Sequence, residues 1–291
     1  MAALTAAGWE KLMLGLIFAA AVALQPPAAG ASAVRTTAPS VELRRYPADE
    51  ANQGVGVDAS YFYAVDDSRI AKYDRATGRK VAEWAGDPKL YPHINSCEII
   101  GQELVCAASN YPQTPMTSAV EIFDPRRMVH LRTIALGQQG GSLTWVDRHD
   151  GFWWAAFANY DGRGGEPGRD HRATRLVKFD DAWRRVQAWS FPASVLDRFA
   201  PRSSSGGGWG EDGLLYVTGH DRPELYALRV PASGSTLEHV ATVPIQVGGQ
   251  AIAWDPSRPR VLFGVSRAGH EVVAMQAPAL STEGTRTAGP R

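Results

Sequence analysis

Leu176-Val177-Lys178-Phe179-Asp180 decides the fold of this chain. It reads apolar, two free positions, aromatic, Asp. The same phrase stands at Ile70-Ala71-Lys72-Tyr73-Asp74 and at Val120-Glu121-Ile122-Phe123-Asp124. Weaker copies follow at Leu225-Tyr226-Ala227-Leu228-Arg229 and Val272-Val273-Ala274-Met275-Gln276. From starts at 70, 120, 176, 225 and 272 the offsets are 50, 56, 49 and 47 residues. A period of this length, with several short strands per unit, is the signature of a β-propeller.

Working outward from each copy, alternating apolar and polar residues and turn residues mark four strands per unit. The first unit has 54–58, 61–65, 69–73 and 80–84; the second 95–100, 103–108, 118–123 and 130–134. The third has 142–146, 152–158, 174–179 and 185–190, followed by a helical turn over 194–199. The fourth has 207–210, 214–218, 224–230 and 237–243. The fifth has 250–254, 261–265 and 271–275 and then stops one strand short. Residues 41–46, Val-Glu-Leu-Arg-Arg-Tyr, alternate like a strand and belong to no local unit. A ring must close or leave two open edges, so this stretch is expected to complete the last blade. The expected fold is all-β: a five-bladed β-propeller of four antiparallel strands per blade, occupying residues 41–278, its last blade closed by the N-terminal strand.

The flanks are different in composition. In residues 1–33, Lys11 precedes an apolar run over 12–24, Pro26 and Pro27 end it, and Ala31-Ser32-Ala33 has the small-x-small form of a cleavage site. That pattern is a secretory signal peptide, and the run is short for a bilayer span. Residues 34–40 are expected to be a linker and 279–291 a disordered tail. The protein is therefore expected to be exported, to the periplasm or outside the cell, with no membrane contact beyond the signal. Zero formal charge and a pI near 7.1 argue against a nucleic-acid partner, which needs a basic excess. A closed ring is expected to be a monomer.

Two cysteines are present, Cys97 and Cys106. A two-residue turn at Gly101-Gln102 pairs 100 with 103, 99 with 104, 98 with 105 and 97 with 106. The cysteines then face each other, and in an exported chain a disulfide is expected, adding about 2–3 kcal/mol by the loop-entropy relation.

Antiparallel alternation places the loop leading into each innermost strand on the same end of the ring as the loop between strands two and three. Both sets are polar. The lead-in loops carry Gln53, His93, Asn95, Ser142 and Gln250 among Gly and Ser; the second set carries Asp66, Asn110, Tyr111, Tyr160, His220 and Asp221. Glycine there suits crowded strands near an axis, but the larger polar side chains do not follow from crowding. They point to a small polar ligand, sugar-like or amide, at the channel mouth. His93, His220 and Asp221 are the candidate catalytic groups; Gln53, Asn95, Asn110, Tyr111, Ser142, Tyr160 and Gln250 are the candidate ligand-binding residues. No cofactor is expected, although His93, His220 and Asp221 could together hold a channel metal ion. The chain has no G-x-S-x-G elbow, no H-E-x-x-H and no cysteine metal spacing. The glycine-rich run 162–168 is followed by neither a P-loop Lys nor a helix signal and is expected to be a lid or wall of the mouth.

Asn52-Gln53-Gly54-Val55, Ser142-Leu143-Thr144-Trp145 and Gly208-Trp209-Gly210-Glu211-Asp212-Gly213 resemble inner-strand motifs of the plant and bacterial type glutaminyl cyclases, or glutamine cyclotransferases. Members of that family are exported five-bladed propellers that cyclise N-terminal glutamine to pyroglutamate. The wider pattern is also similar to secreted propellers labelled cycloisomerase. Where the cyclases carry channel glutamates, this chain reads His93-Ile94-Asn95-Ser96 and Gly248-Gly249-Gln250. A cyclase reaction here would need its acid and base from Asp66, His93, His220 or Asp221. A third expectation is a protein-interaction platform without chemistry.

Overall fold

A computed structural model describes residues 34–280; the expected signal peptide and nearly all of the expected tail lie outside the described residues. The described chain forms five sheets. Blade one is Gly54–Val57, Tyr61–Asp66, Arg69–Asp74 and Lys80–Ala85. Blade two runs from Ile94–Ile100 to Val129–Gly137, blade three from Ser142–His149 to Arg185–Ser190, and blade four from Gly206–Trp209 to Glu238–Pro244. Blade five has Ile252–Trp254, Val261–Ser266 and Glu271–Gln276. Its fourth strand is Val41–Pro47, antiparallel to Glu271–Gln276. The architecture is a five-bladed β-propeller closed by its N-terminal strand, as the repeat predicts.

Each innermost strand packs on those of its neighbours, and Ile252–Trp254 returns to Gly54–Val57, so the ring is complete. Buried apolar clusters lie between adjacent blades. Phe62, Phe263 and Tyr46 join blades one and five, with Tyr46 supplied by the closing strand. Trp145, Trp154 and Tyr226 join blades three and four. The helical turn is Ala193–Phe199, whose Val195, Leu196 and Phe199 face that same cluster. Arg75 of blade one pairs with the buried carboxylate of Asp255 in blade five. Among residues 34–40, Arg35–Thr36 form a short strand parallel to Glu238–Pro244 on the outside of blade four.

The repeated phrase has a local cause. Its aromatic is buried as Tyr73, Phe123 and Phe179. Its Asp closes the turn that follows: Asp74 Oδ1 accepts from the Thr77 N–H, Asp124 Oδ1 from Arg126 and Arg127, and Asp180 Oδ1 from Ala182 and Arg184. These backbone donors hold all three carboxyls below their ordinary pKa.

Blade two pairs Cys97 with Cys106, Glu98 with Val105, Ile99 with Leu104 and Ile100 with Glu103. The cysteine sulfurs are bonded at 2.00 Å. Among the described residues no helix is long and apolar enough to cross a membrane.

Candidate functional site at the channel mouth

The lead-in loops and the loops between second and third strands meet around one cavity of about 430 Å³. Gln53, His93, Asn95, Tyr111, Tyr160, His220 and Gln250 line it, all of them singled out from the sequence. Asp221 stands behind His220, its Oδ1 2.6 Å from His220 Nδ1. The other two candidates serve the scaffold. Asn110 braces its own loop, donating to the Pro115 carbonyl at 3.1 Å and accepting from the Thr117 N–H at 2.8 Å. Ser142 is fully buried and donates to Ser109 Oγ at 2.7 Å.

Close approach of the inner strands shapes the mouth. A Cβ on Gly54 would lie 2.1 Å from the Asn95 carbonyl oxygen, and one on Gly206 would lie 2.6 Å from the Ala251 Cα. Only glycine permits these contacts. Gln250 is held in the left-handed region, φ 72°, which costs a residue with a Cβ on the order of 1 kcal/mol. Three bonds hold this turn. The Gln250 N–H donates to the Gly219 carbonyl at 3.0 Å, and its carbonyl accepts from Thr218 Oγ1 at 2.5 Å. The next N–H, of Ala251, donates to the Gln53 carbonyl at 3.4 Å.

Two imidazoles from different blades face this cavity with the same internal arrangement. His93 Nδ1 is 2.6 Å from Asp67 Oδ1, and His93 Nε2 is 3.3 Å from Asn95 Nδ2. His220 Nδ1 is 2.6 Å from Asp221 Oδ1, and its Nε2 is 3.5 Å from Arg267 Nη1. A guanidinium can only donate. His220 Nε2 therefore presents its lone pair, and the ring proton sits on Nδ1 toward Asp221. The amide nitrogen of Asn95 imposes the same tautomer on His93. A carboxylate at Nδ1 orients the ring, and each Nε2 lone pair faces a donor, Asn95 or Arg267. Asp66, the sequence candidate, accepts instead from Asn52 Nδ2 at 2.7 Å; its neighbour Asp67 is the residue that meets the imidazole.

Tyr111 bridges the aromatic wall, its ring centroid 5.1 Å from that of His93 and 5.1 Å from that of Tyr160. Burial pushes the Tyr160 phenol above its ordinary pKa, with Ser142 and Arg202 opposing. The insertion after Tyr160 packs on Tyr111 through Gly164 and is pinned by the Met116 N–H donating to Glu166. Its contribution to the cavity is Arg163. Arg202 and Arg267 line the same space. These arginines were not separable by sequence from other loop cations. Also in this insertion, Asp161, Asp170 and His171 bring donor atoms within 4.8 Å of one another, but Arg172 already pairs with Asp170.

A second cavity, of about 450 Å³, opens at the far end between the loops that join first and second strands. Trp209, Tyr216 and Trp254 line it, with Glu211, Asp212 and Arg258. Above it, two carboxylates on innermost strands escaped the sequence reading. Burial raises Glu98 well above its ordinary pKa, and the Asp147 charge adds to this. Burial raises Asp147 too, while the N–H groups of Trp209 and Arg148 pull the other way. The Trp209 N–H donates to Asp147 Oδ2 at 2.8 Å. The clue in sequence was a single acid beside apolar residues on each inner strand, Cys97-Glu98-Ile99 and Trp145-Val146-Asp147.

The chain matches no protein-family model and no curated protein. Its fold is similar to several solved structures. A chain of the mitotic checkpoint complex is 10% identical, with 91% of this chain and 98% of that one covered and a TM-score of 0.45. Kuenenia stuttgartiensis hydrazine synthase is 11% identical over 77% and 82%, with a TM-score of 0.48. A luciferin-regenerating enzyme is 13% identical over 83% and 95%, with a TM-score of 0.46. At such identities no activity passes from these proteins to this chain.

Proposed function

We propose that this protein is exported and that it binds a small polar ligand at the channel mouth, where it moves protons in a reaction of cyclase or cycloisomerase type. The observation that carries this reading is the pair of carboxylate-oriented imidazoles, His93 with Asp67 and His220 with Asp221, facing one cavity. His130 and His171 also pair with carboxylates, Glu121 and Asp161, so it is the shared cavity that sets His93 and His220 apart. Intramolecular ring closure needs a base to take a proton from the attacking atom and an acid to return one to the leaving group. The imidazoles of blades two and four, each with a carboxylate at Nδ1, are the candidates for those roles. Gln53, Asn95 and Gln250 offer amide donors and acceptors, and Tyr111 and Tyr160 an aromatic wall, all suited to a ligand rich in hydroxyl or amide groups. Export is supported by the composition of residues 1–33 and by the bonded Cys97–Cys106 pair.

The specific glutaminyl reading is the narrower form of this proposal. The α-amine nitrogen would attack the side-chain amide carbon, the carbon–nitrogen bond to the leaving group would break, and the proton lost by the amine would leave with ammonia. Ammonia release from a peptide with N-terminal glutamine tests it directly, and absence of turnover removes that substrate. The broader reading is tested by a thermal-shift screen of sugars, lactones and amino-acid amides, followed by turnover of any hit. Asp67→Asn and His93→Gln are each expected to lower turnover about 10²–10⁴-fold. Unchanged turnover in both, or a ligand that binds equally well to Asn95→Ala, would overturn the assignment.

A further inference from the structure

Three arginines and one aspartate line the mouth cavity. Arg163 comes from the insertion in blade three, Arg202 from the segment after Ala193–Phe199, and Arg267 from the loop of blade five. They reach one cavity from three separate pieces of chain. Among the described residues none of the three forms an ion pair with a carboxylate, whereas Arg45, Arg69, Arg75, Arg132 and Arg198 all do. Asp67, the one carboxylate residue that lines this cavity among the described residues, is engaged by His93, and Asp221, behind the wall, by His220. Arg267 extends toward His220 Nε2, which cannot neutralise it. Three guanidinium groups bordering one cavity favour an anion there. Guanidinium is also the group whose planar fork fits the oxygens of carboxylate and phosphate.

A second feature lies at the same wall. Asn95 is only 5% exposed, lines the cavity, and has an Oδ1 without a hydrogen-bond partner. A buried acceptor left unpaired is costly. A donor on the ligand would satisfy it.

We infer that the mouth cavity takes a small organic oxyanion, its negative charge held by Arg163, Arg202 and Arg267 and a hydroxyl or amine of the same molecule donating to Asn95. This deepens the proposed function and rests on its placing of the binding site at the mouth. Carboxylate and phosphate share the chemistry that three guanidinium groups recognise, and the test separates them.

The test is calorimetric titration of the purified full chain with succinate and with inorganic phosphate, at ionic strength held constant by sodium chloride. One or both should bind saturably, with one site per chain. Each of R163Q, R202Q and R267Q should weaken binding about tenfold or more, as expected for loss of a charge-assisted hydrogen bond, and the triple variant should abolish it. R258Q, at the far end, should bind as the parent does. Preference for succinate names a carboxylate ligand, and preference for phosphate a phosphate ester. These arginines are paired to no carboxylate, so the variants should keep the parent thermal midpoint, which confirms that they fold. The inference is overturned if neither anion binds, or if the triple variant binds as the parent does. Should a neutral sugar or amide bind and lose its affinity in Asn95→Ala while both anions fail, the site survives and its anionic ligand does not. If no anion, sugar, lactone or amide binds there, both readings fall.

Discussion

At the mouth of the ring, Arg163, Arg202 and Arg267 surround amides, imidazoles and tyrosines held by short polar bonds. At the far end, Trp209 lies flat on His149, with ring centroids 4.1 Å apart, and edge-on to Trp154; Trp254 meets the edge of Tyr216. Toward that end the inner strands carry Glu98 and Asp147 in place of cations. One end thus presents basic groups on loops, and the other aromatic packing beside half-buried carboxylates. The difference assigns different work to the two ends. Loops on a rigid ring can carry chemistry with little loss of stability, while aromatic contacts between blades hold the ring together.

If that division is right, the largest stability effect belongs to the far end. Trp209→Ala removes the stack on His149 and the contact with Trp154 and should cost about 3–5 kcal/mol in urea unfolding. Ligand affinity at the mouth should stay within twofold; a large affinity loss would mean that the two ends are not independent.

Gly54→Ala probes the mouth through its backbone. The added methyl meets the Asn95 carbonyl oxygen, so blades one and two must separate, at a cost of about 1–3 kcal/mol. Because Asn95 moves with that carbonyl, ligand binding should weaken as well. Wild-type affinity in this variant would detach Asn95 from the site.

Glu98→Gln should act in the stabilising direction. The folded-state pKa of Glu98 lies above its ordinary value because of burial and the Asp147 charge. Its contribution to stability is therefore complete below the ordinary carboxylate pKa and is lost as pH rises through the raised one. Glutamine is neutral throughout, so the variant should have a higher thermal midpoint at pH 7 and a flatter fall between mildly acidic and neutral pH. An unchanged pH profile would place Glu98 in contact with bulk water.

The smallest stability effect belongs to the mouth cations. Arg202→Gln and Arg267→Gln break no ion pair and should change unfolding free energy by less than about 0.5 kcal/mol. A loss of several kcal/mol from either would contradict the separation of binding from stability between the ends.

The pattern of residues carried the architecture because its causes are local. The phrase ending in Asp74, Asp124 and Asp180 recurs because each unit buries one aromatic and turns on one carboxylate. The hairpin at Gly101 set Cys97 opposite Cys106, since pairing outward from a two-residue turn has a single register. The missing strand of blade five and the orphan strand at 41–46 implied one another, because a ring leaves no edge. Even the gathering of Gln53, His93, Asn95, His220 and Gln250 at one end of the ring was legible, since strand alternation decides it.

Only the tertiary structure decided which loop residues enter the cavity and which brace it. Asp66 and Asp67 are adjacent in sequence, and the turn at Asp67, with φ 47°, sends one to Asn52 and the other to His93. Asn110 and Tyr111 divide in the same way between loop and cavity. Arg163 and Arg202 read as ordinary surface cations until an insertion and a helix exit fold over the mouth from separate blades. Glu98 and Asp147 looked like single acids on strands until the ring brought their charges together and half-buried both. Backbone hydrogen bonding and burial period act over a few residues and are written along the chain. The meeting of side chains from five blades depends on ring closure, which no single stretch encodes.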